Sequence, residues 1–266
     1  MSDPTPEYEI YAIRYATRAA RRADHFVGGD PHDAEMPMDY FSWLIRGQGR
    51  TILVDTGFTA EMAATRKRTF LRCPIETLRL FGIDPSEVRE VILTHLHYDH
   101  VGNFQKLPGT RFYLQERELS FATGRYMKYS FFAHGFEVDE VIGVVRLNYA
   151  GRMELISGVV EIAPGISVHP APGHTAGLQV VRVSTARGWV VLASDASHFY
   201  ENMMSNRPFT VGYHLGEMVD SYRMLERLAS SLDHIIPGHD PEVMRRYAPL
   251  SGALSGAAVA LHVPPR

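Results

Sequence analysis

Thr94-His95-Leu96-His97-Tyr98-Asp99-His100 sets three imidazoles and a carboxylate within six residues, directly after the apolar run Val91-Ile92-Leu93. The run reads as a short strand, and a strand that ends in such a cluster reads as a metal site. Neutral imidazole suits Zn, Cu, Fe or Ni, and the carboxylate adds a hard anionic ligand beside it. Alternation along extended backbone sends His95 and His97 to one side. Asp99 and His100 fall on the turn beyond, free to face a second ion. The competing reading is a surface turn that happens to be rich in histidine.

Two ions need more ligands, and the chain supplies them. His174 lies in Ala171-Pro172-Gly173-His174-Thr175-Ala176-Gly177, a loop after the strand-like Ile166-Ser167-Val168-His169. Asp195 follows Trp189-Val190-Val191-Leu192-Ala193-Ser194, and His239 follows Ile235-Ile236-Pro237-Gly238. Each stands just past a short apolar segment, where loops build sites. Singly, each has a bland alternative in a satisfied histidine or an Asx turn. Their recurrence in order along the chain argues for one shared centre.

This order, His-x-His-x-Asp-His and then separate His, Asp and His motifs, resembles the metallo-β-lactamase superfamily of binuclear hydrolases. Within it, the chain is most similar to the N-acyl homoserine lactonase family. The matching stretches are Val54-Asp55-Thr56-Gly57 and residues 94–102, 172–177, 194–197 and 237–240. The resemblance implies an α/β (α+β) fold, a four-layer αββα sandwich, and two divalent ions. Zinc is the first choice on ligand type, with Fe, Mn and Co compatible with the same donors. It implies that His95, His97 and His174 hold one ion, Asp99, His100 and His239 the other, with Asp195 and a hydroxide bridging them. Asp55 would orient a ligand histidine; its alternative is a plain turn or cap carboxylate.

Several relatives fit less well. Flavodiiron proteins carry Glu where this chain has His97. The main β-lactamase class shows Arg in place of His100 and Cys in place of Asp195, and the single cysteine, Cys73, is far from every motif. Thioesterases of the glyoxalase II type and cyclic amide hydrolases share the ligand set and stand as alternatives. One departure concerns the lactonase branch itself. That family usually carries Tyr three residues after the bridging Asp, where this chain has His198. An imidazole can donate to an oxyanion as a phenol does, and Tyr200 is close in sequence. The expected reaction is hydrolytic opening of a cyclic ester, with His198 or Tyr200 bonding the developing oxyanion. Asp99 would pass the proton to the leaving alkoxide.

Composition agrees with a soluble enzyme. At 266 residues, 45% hydrophobic and 21% charged, the chain fits one globular domain, with a core over about 7–247 and a C-terminal tail over 248–266. A net charge of -3 gives no reason to expect nucleic acid. The first residues, Ser2-Asp3-Pro4-Thr5-Pro6-Glu7, lack the basic and apolar regions of a signal peptide, and no apolar run reaches membrane length. A cytoplasmic enzyme acting on a small molecule, with no membrane partner, is expected.

Pattern also places elements. Tyr8–Tyr15 reads as a first strand, and Phe41–Arg46 with Thr51–Val54 as a hairpin. Asp84-Pro85-Ser86-Glu87 reads as a helix start. Glu217–Leu232 reads as an amphipathic helix with Val219, Tyr222, Leu225, Leu228, Ala229 and Leu232 on its inner face. The aromatic segment Phe121–Phe136 reads either as a pocket wall, as packing, or as a homodimer interface. The loop Phe26–Tyr40 reads as a lid that could bring Met36, Met38 and Phe41 over the metals.

Overall fold

The computed structural model describes residues 5–266; the reading made of Ser2-Asp3-Pro4 lies outside them. The strands are β1 (Glu9–Arg18), β2 (Met38–Gly47), β3 (Arg50–Val54), β4 (Thr69–Phe70), β5 (Glu90–Ile92), β6 (Arg111–Gln115) and β7 (Met153–Ile156). They continue as β8 (Val160–Ala163), β9 (Ile166–Pro170), β10 (Gln179–Thr185), β11 (Gly188–Ser194), β12 (Ile235–Pro237), β13 (Ala248–Pro249) and β14 (Ala258–Ala260). One sheet runs β13-β14-β1-β2-β3-β5-β6-β7, with β4 paired to β1; the other runs β12-β11-β10-β9-β8.

Period-two alternation builds the layers. Trp43, Ile45, Ile52 and Val54 face the second sheet's Val181, Val183 and Leu192 in one buried cluster, which continues to Tyr222 and Leu225 of helix Leu215–Leu228. Their neighbours Leu44 and Leu53 face the opposite way. They pack with Ile75, Val141, Val144 and Leu147 from helices Pro74–Thr77 and Val138–Tyr149. Helices thus cover the outer faces of two packed sheets, the expected four-layer sandwich. Because both faces of β2 are covered, its residues Met38–Ile45 are all buried.

Three expectations need correction. Asp84 caps only a single 3₁₀ turn, Pro85–Glu87, accepting from the Ser86 N–H at 2.9 Å. The helix expected over Glu217–Leu232 spans Leu215–Leu228, starting at His214, whose ring accepts from the Glu217 N–H. Ser230 exchanges bonds with Trp189 on β11, which pulls the chain out of the helix and leaves Leu232 55% exposed. Residues 248–266, expected as a tail, instead supply β13 and β14, and Ala258–Ala260 pair with Tyr11–Ile13.

Candidate metal centre

The centre forms where parallel strands end. β5 lies parallel between β3 and β6, and β11 parallel to β12. In open α/β sheets the crevice outside carboxyl strand ends is where ligands bind. The His95–His100 cluster follows β5, Asp195 follows β11 and His239 follows β12. His174 arrives on the loop between β9 and β10. The site therefore sits at the seam of the two sheets, with donors from both.

His95, His97, His174 and Asp195 bring donor atoms within 4.8 Å of one another, and so do Asp99, His100 and His239. All seven residues are buried. Asp195 stands between the groups. Its Oδ2 lies 3.1 Å from His174 Nε2 and 3.8 Å from His95 Nε2. Its Oδ1 lies 2.9 Å from His239 Nε2 and 3.4 Å from His100 Nε2. Asp99 Oδ2 closes the second group, 3.6 Å from His100 Nε2 and 3.7 Å from His239 Nε2. A tetrahedral ion with bonds of about 2.0–2.2 Å has ligand–ligand edges of about 3.3–3.6 Å. The observed separations bracket that range. His95 Nε2 and His100 Nε2 are buried with no hydrogen-bond partner. Such atoms are costly unless something binds them, and a cation fits.

In three of the rings the second nitrogen is anchored by a carbonyl or carboxylate of the protein. His174 Nδ1 donates to the Val211 carbonyl and His239 Nδ1 to the Asp39 carbonyl, both at 2.9 Å. His100 Nδ1 lies 2.7 Å from Asp55 Oδ2. Asp55 also accepts the Thr94 N–H at 2.7 Å and the Thr94 hydroxyl at 2.8 Å. It is thus the orienting carboxylate rather than a plain turn residue. Its φ of 60° and that of Ser194, 45°, fall in the left-handed region at the two strand ends that feed the site. Strain of this kind persists where surrounding bonds fix it. Burial and crowding by neighbouring histidines push His95 and His97 well below the usual imidazole range, so both stay neutral, the form that ligates. Burial raises the Asp195 carboxyl, but the histidines facing it, His239 and His100 among them, outweigh it and hold the group ionised.

A cavity of about 110 Å³ opens onto these donors. His198 lines it, with its ring stacked on Phe209 at 3.5 Å and its Nε2 3.0 Å from Asp195 Oδ2. Burial lowers its pKa to about 3, so the ring is neutral. Tyr200, expected as an alternative oxyanion donor, is absent from the cavity wall. Its ring lies under the Arg246 guanidinium at 4.1 Å. The chain turns at Ser197, whose hydroxyl donates to the Phe199 carbonyl, and a helix begins at Tyr200. Of the lid candidates, Met38 lines the cavity with Tyr40, whereas Met36 and Phe41 pack in the inter-sheet core. The aromatic segment is mostly packing: Phe121, Tyr126 and Phe132 cluster with Tyr213. Phe136 supports the His97 ring edge-on at 4.6 Å. Gly135 does face the site; a Cβ there would stand 2.6 Å from His97.

Sequence reasoning passed over Glu118. It is fully buried and accepts from the Leu96 N–H, the Thr175 hydroxyl and the Gly177 N–H, which joins the first ligand loop to the His174 loop. Its charged neighbours Glu116 and Arg117 make it read as a solvated face. The available signal is helical pitch, since Glu118 shares a face with buried Phe121 and Ala122.

A family model described as the metallo-beta-lactamase superfamily matches residues 37–239. An N-acyl homoserine lactonase of Bacillus thuringiensis is 29% identical over 219 residues, covering 75% of this chain and 80% of the relative. N-acyl homoserine lactonase AttM of Azorhizobium caulinodans is 26% identical over 239 residues, covering 80% and 86%. Among solved structures, a quorum-quenching N-acyl homoserine lactone lactonase superposes with a TM-score of 0.75 at 23% identity, over 91% of this chain and 95% of that one. An N-acyl homoserine lactone hydrolase with N-hexanoyl-L-homoserine bound at its catalytic metal centre gives 0.74 at 21% identity, over 91% and 96%. At these identities the structural likeness speaks for the fold.

Proposed function

Because the chain belongs to the metallo-β-lactamase superfamily, we propose that it is a binuclear metal-dependent hydrolase that opens a lactone ring. The observation that carries this reading is Asp195, whose two oxygens face two separate histidine groups. His95, His97 and His174 would hold one ion and Asp99, His100 and His239 the other, with Asp195 shared. Zinc is the proposed metal, since the donors are imidazole and carboxylate throughout. Ions bound there polarise an ester carbonyl and make water acidic near neutral pH.

The chain's own residues do the rest. Asp55, Val211 and Asp39 fix the rings of His100, His174 and His239, so these donors are preorganised rather than gathered on binding. Asp99, which lines the cavity 3.7 Å from His239 Nε2, is proposed to carry the proton to the leaving alkoxide. His198, which lines the cavity stacked on Phe209 and 3.0 Å from Asp195, is proposed as the oxyanion donor. The relatives named as lactonases, matched over three quarters of the chain, favour a cyclic ester over a thioester.

Zinc-loaded protein should release acid from N-hexanoyl homoserine lactone and simple γ-lactones, and chelation should abolish it. Hydrolysis of S-lactoylglutathione or of a cyclic amide with no lactone turnover would overturn the reading.

A further inference from the structure

The wall of the metal cavity also carries an unusual pair. Arg18 closes β1, and Arg68 immediately precedes β4. β1 and β4 pair antiparallel with Thr17 opposite Thr69. The same register continued by one residue sets Arg18 directly opposite Arg68. Like charges in that relation are destabilising. The cavity's third arginine, Arg66, is neutralised by Glu137 and donates to the His134 carbonyl. Asp39, the acid nearest along the neighbouring strand, is bound by Arg14. Among the described residues, neither Arg18 nor Arg68 has a carboxylate within 4.0 Å. The one side-chain bond of the pair is from Arg68 Nε to the Tyr98 hydroxyl, at 3.1 Å. Arg18 Nε is buried without any partner.

The cavity's size points the same way. At about 110 Å³ it is small beside the roughly 300–1,000 Å³ of ordinary ligand pockets, and arginine forks are poor company for a long acyl chain. A guanidinium fork matches a carboxylate in geometry and charge. We propose that the substrate is a compact lactone bearing its own carboxylate, which Arg18 and Arg68 receive on the wall of the cavity. This rests on the lactonase reading and adds the charge of the substrate to it. In this scheme the pair binds and orients, holding the ring so that its carbonyl faces the metal donors.

The test uses zinc-loaded protein and two homoserine lactones of equal size: N-succinyl, with a terminal carboxylate, and N-succinamoyl, with a terminal amide. The carboxylate form should have a kcat/KM at least about tenfold higher, as a charge-assisted bond warrants. Arg18→Gln and Arg68→Gln should each bring that ratio toward one, chiefly through KM, and the Lys variants should keep part of it. A wild-type ratio of one, or equal proportional losses on both substrates in the Gln variants, would overturn the proposal. If neither lactone opens, the lactonase reading fails, and charge preference is then decided by calorimetry with the two ring-opened compounds. Tighter wild-type binding of the succinyl form, lost in the variants, sustains the anion site; equal binding of the two sinks it.

Discussion

His198 stands where a family trait and a local geometry meet. Its imidazole is neutral, stacked on Phe209 and turned toward Asp195, on the wall of the cavity. If it bonds the oxyanion, the contact strengthens only in the transition state, so His198→Ala should lower kcat by roughly 10- to 100-fold with little rise in KM. His198→Tyr should restore much of that loss. An Ala variant with wild-type kcat and unchanged metal content would make the residue structural. At this scale the sequence was most legible where residue type carries chemistry. His95, His97, Asp99, His100, His174, Asp195 and His239 converge as their motifs implied. Tyr200 was a candidate only because it is close to Asp195 in sequence, whereas the Ser197 turn and the helix beyond it carry the phenol to Arg246. Glu118 gave no motif at all; its role follows from partners distant in sequence.

Elements around the site are joined by the irregular segment between β1 and β2. Arg22 bonds Asp30 and Glu201, and Arg207 also reaches Asp30, which ties this segment to helix Tyr200–Ser205. His25 is buried within it, 4.5 Å from Phe199 and 5.7 Å from Phe209 between ring centroids, and donates from Nε2 to the Met36 carbonyl. Burial lowers its pKa from 6.5 to about 4, only partly offset by that bond. Between those values the unfolded chain takes up a proton that the native state refuses, so stability falls as pH drops from about 6.5 toward 4. The His25 contribution is on the order of 3 kcal/mol across that window. Thermal unfolding of wild type should therefore lose more stability from pH 7 to 4.5 than His25→Gln, in which the amide can still donate to Met36. Equal slopes would show that this histidine does not couple to folding. The segment's two Gly and two Pro marked it as irregular, yet nothing local indicated which side chains would anchor it. The helix ending at Leu228 was likewise misjudged, because Ser230 answers to Trp189 on another strand rather than to helical period.

On the scale of the whole molecule, the centre is a joint between two sheets. His95, His97, Asp99 and His100 come from the end of one; His174, Asp195 and His239 come from the other. Seven buried polar groups converge there, and bound ions should stabilise the native state by mass action. The layered architecture was implied by the ligand motifs, since periodicity alone indicates only mixed α/β. The contribution of residues 248–266 to the first sheet was hidden by their small residues, Ala258 and Ala260 among them, whose pairing depends on β1 far away in sequence. The central claim is that two ions share Asp195 and that lactone hydrolysis needs both. It is tested most directly by titrating metal-free protein with zinc while following lactone turnover and bound metal together. Binding should saturate at two ions per chain, with turnover reaching its plateau only at the second equivalent. Saturation at a single ion with full turnover would contradict it.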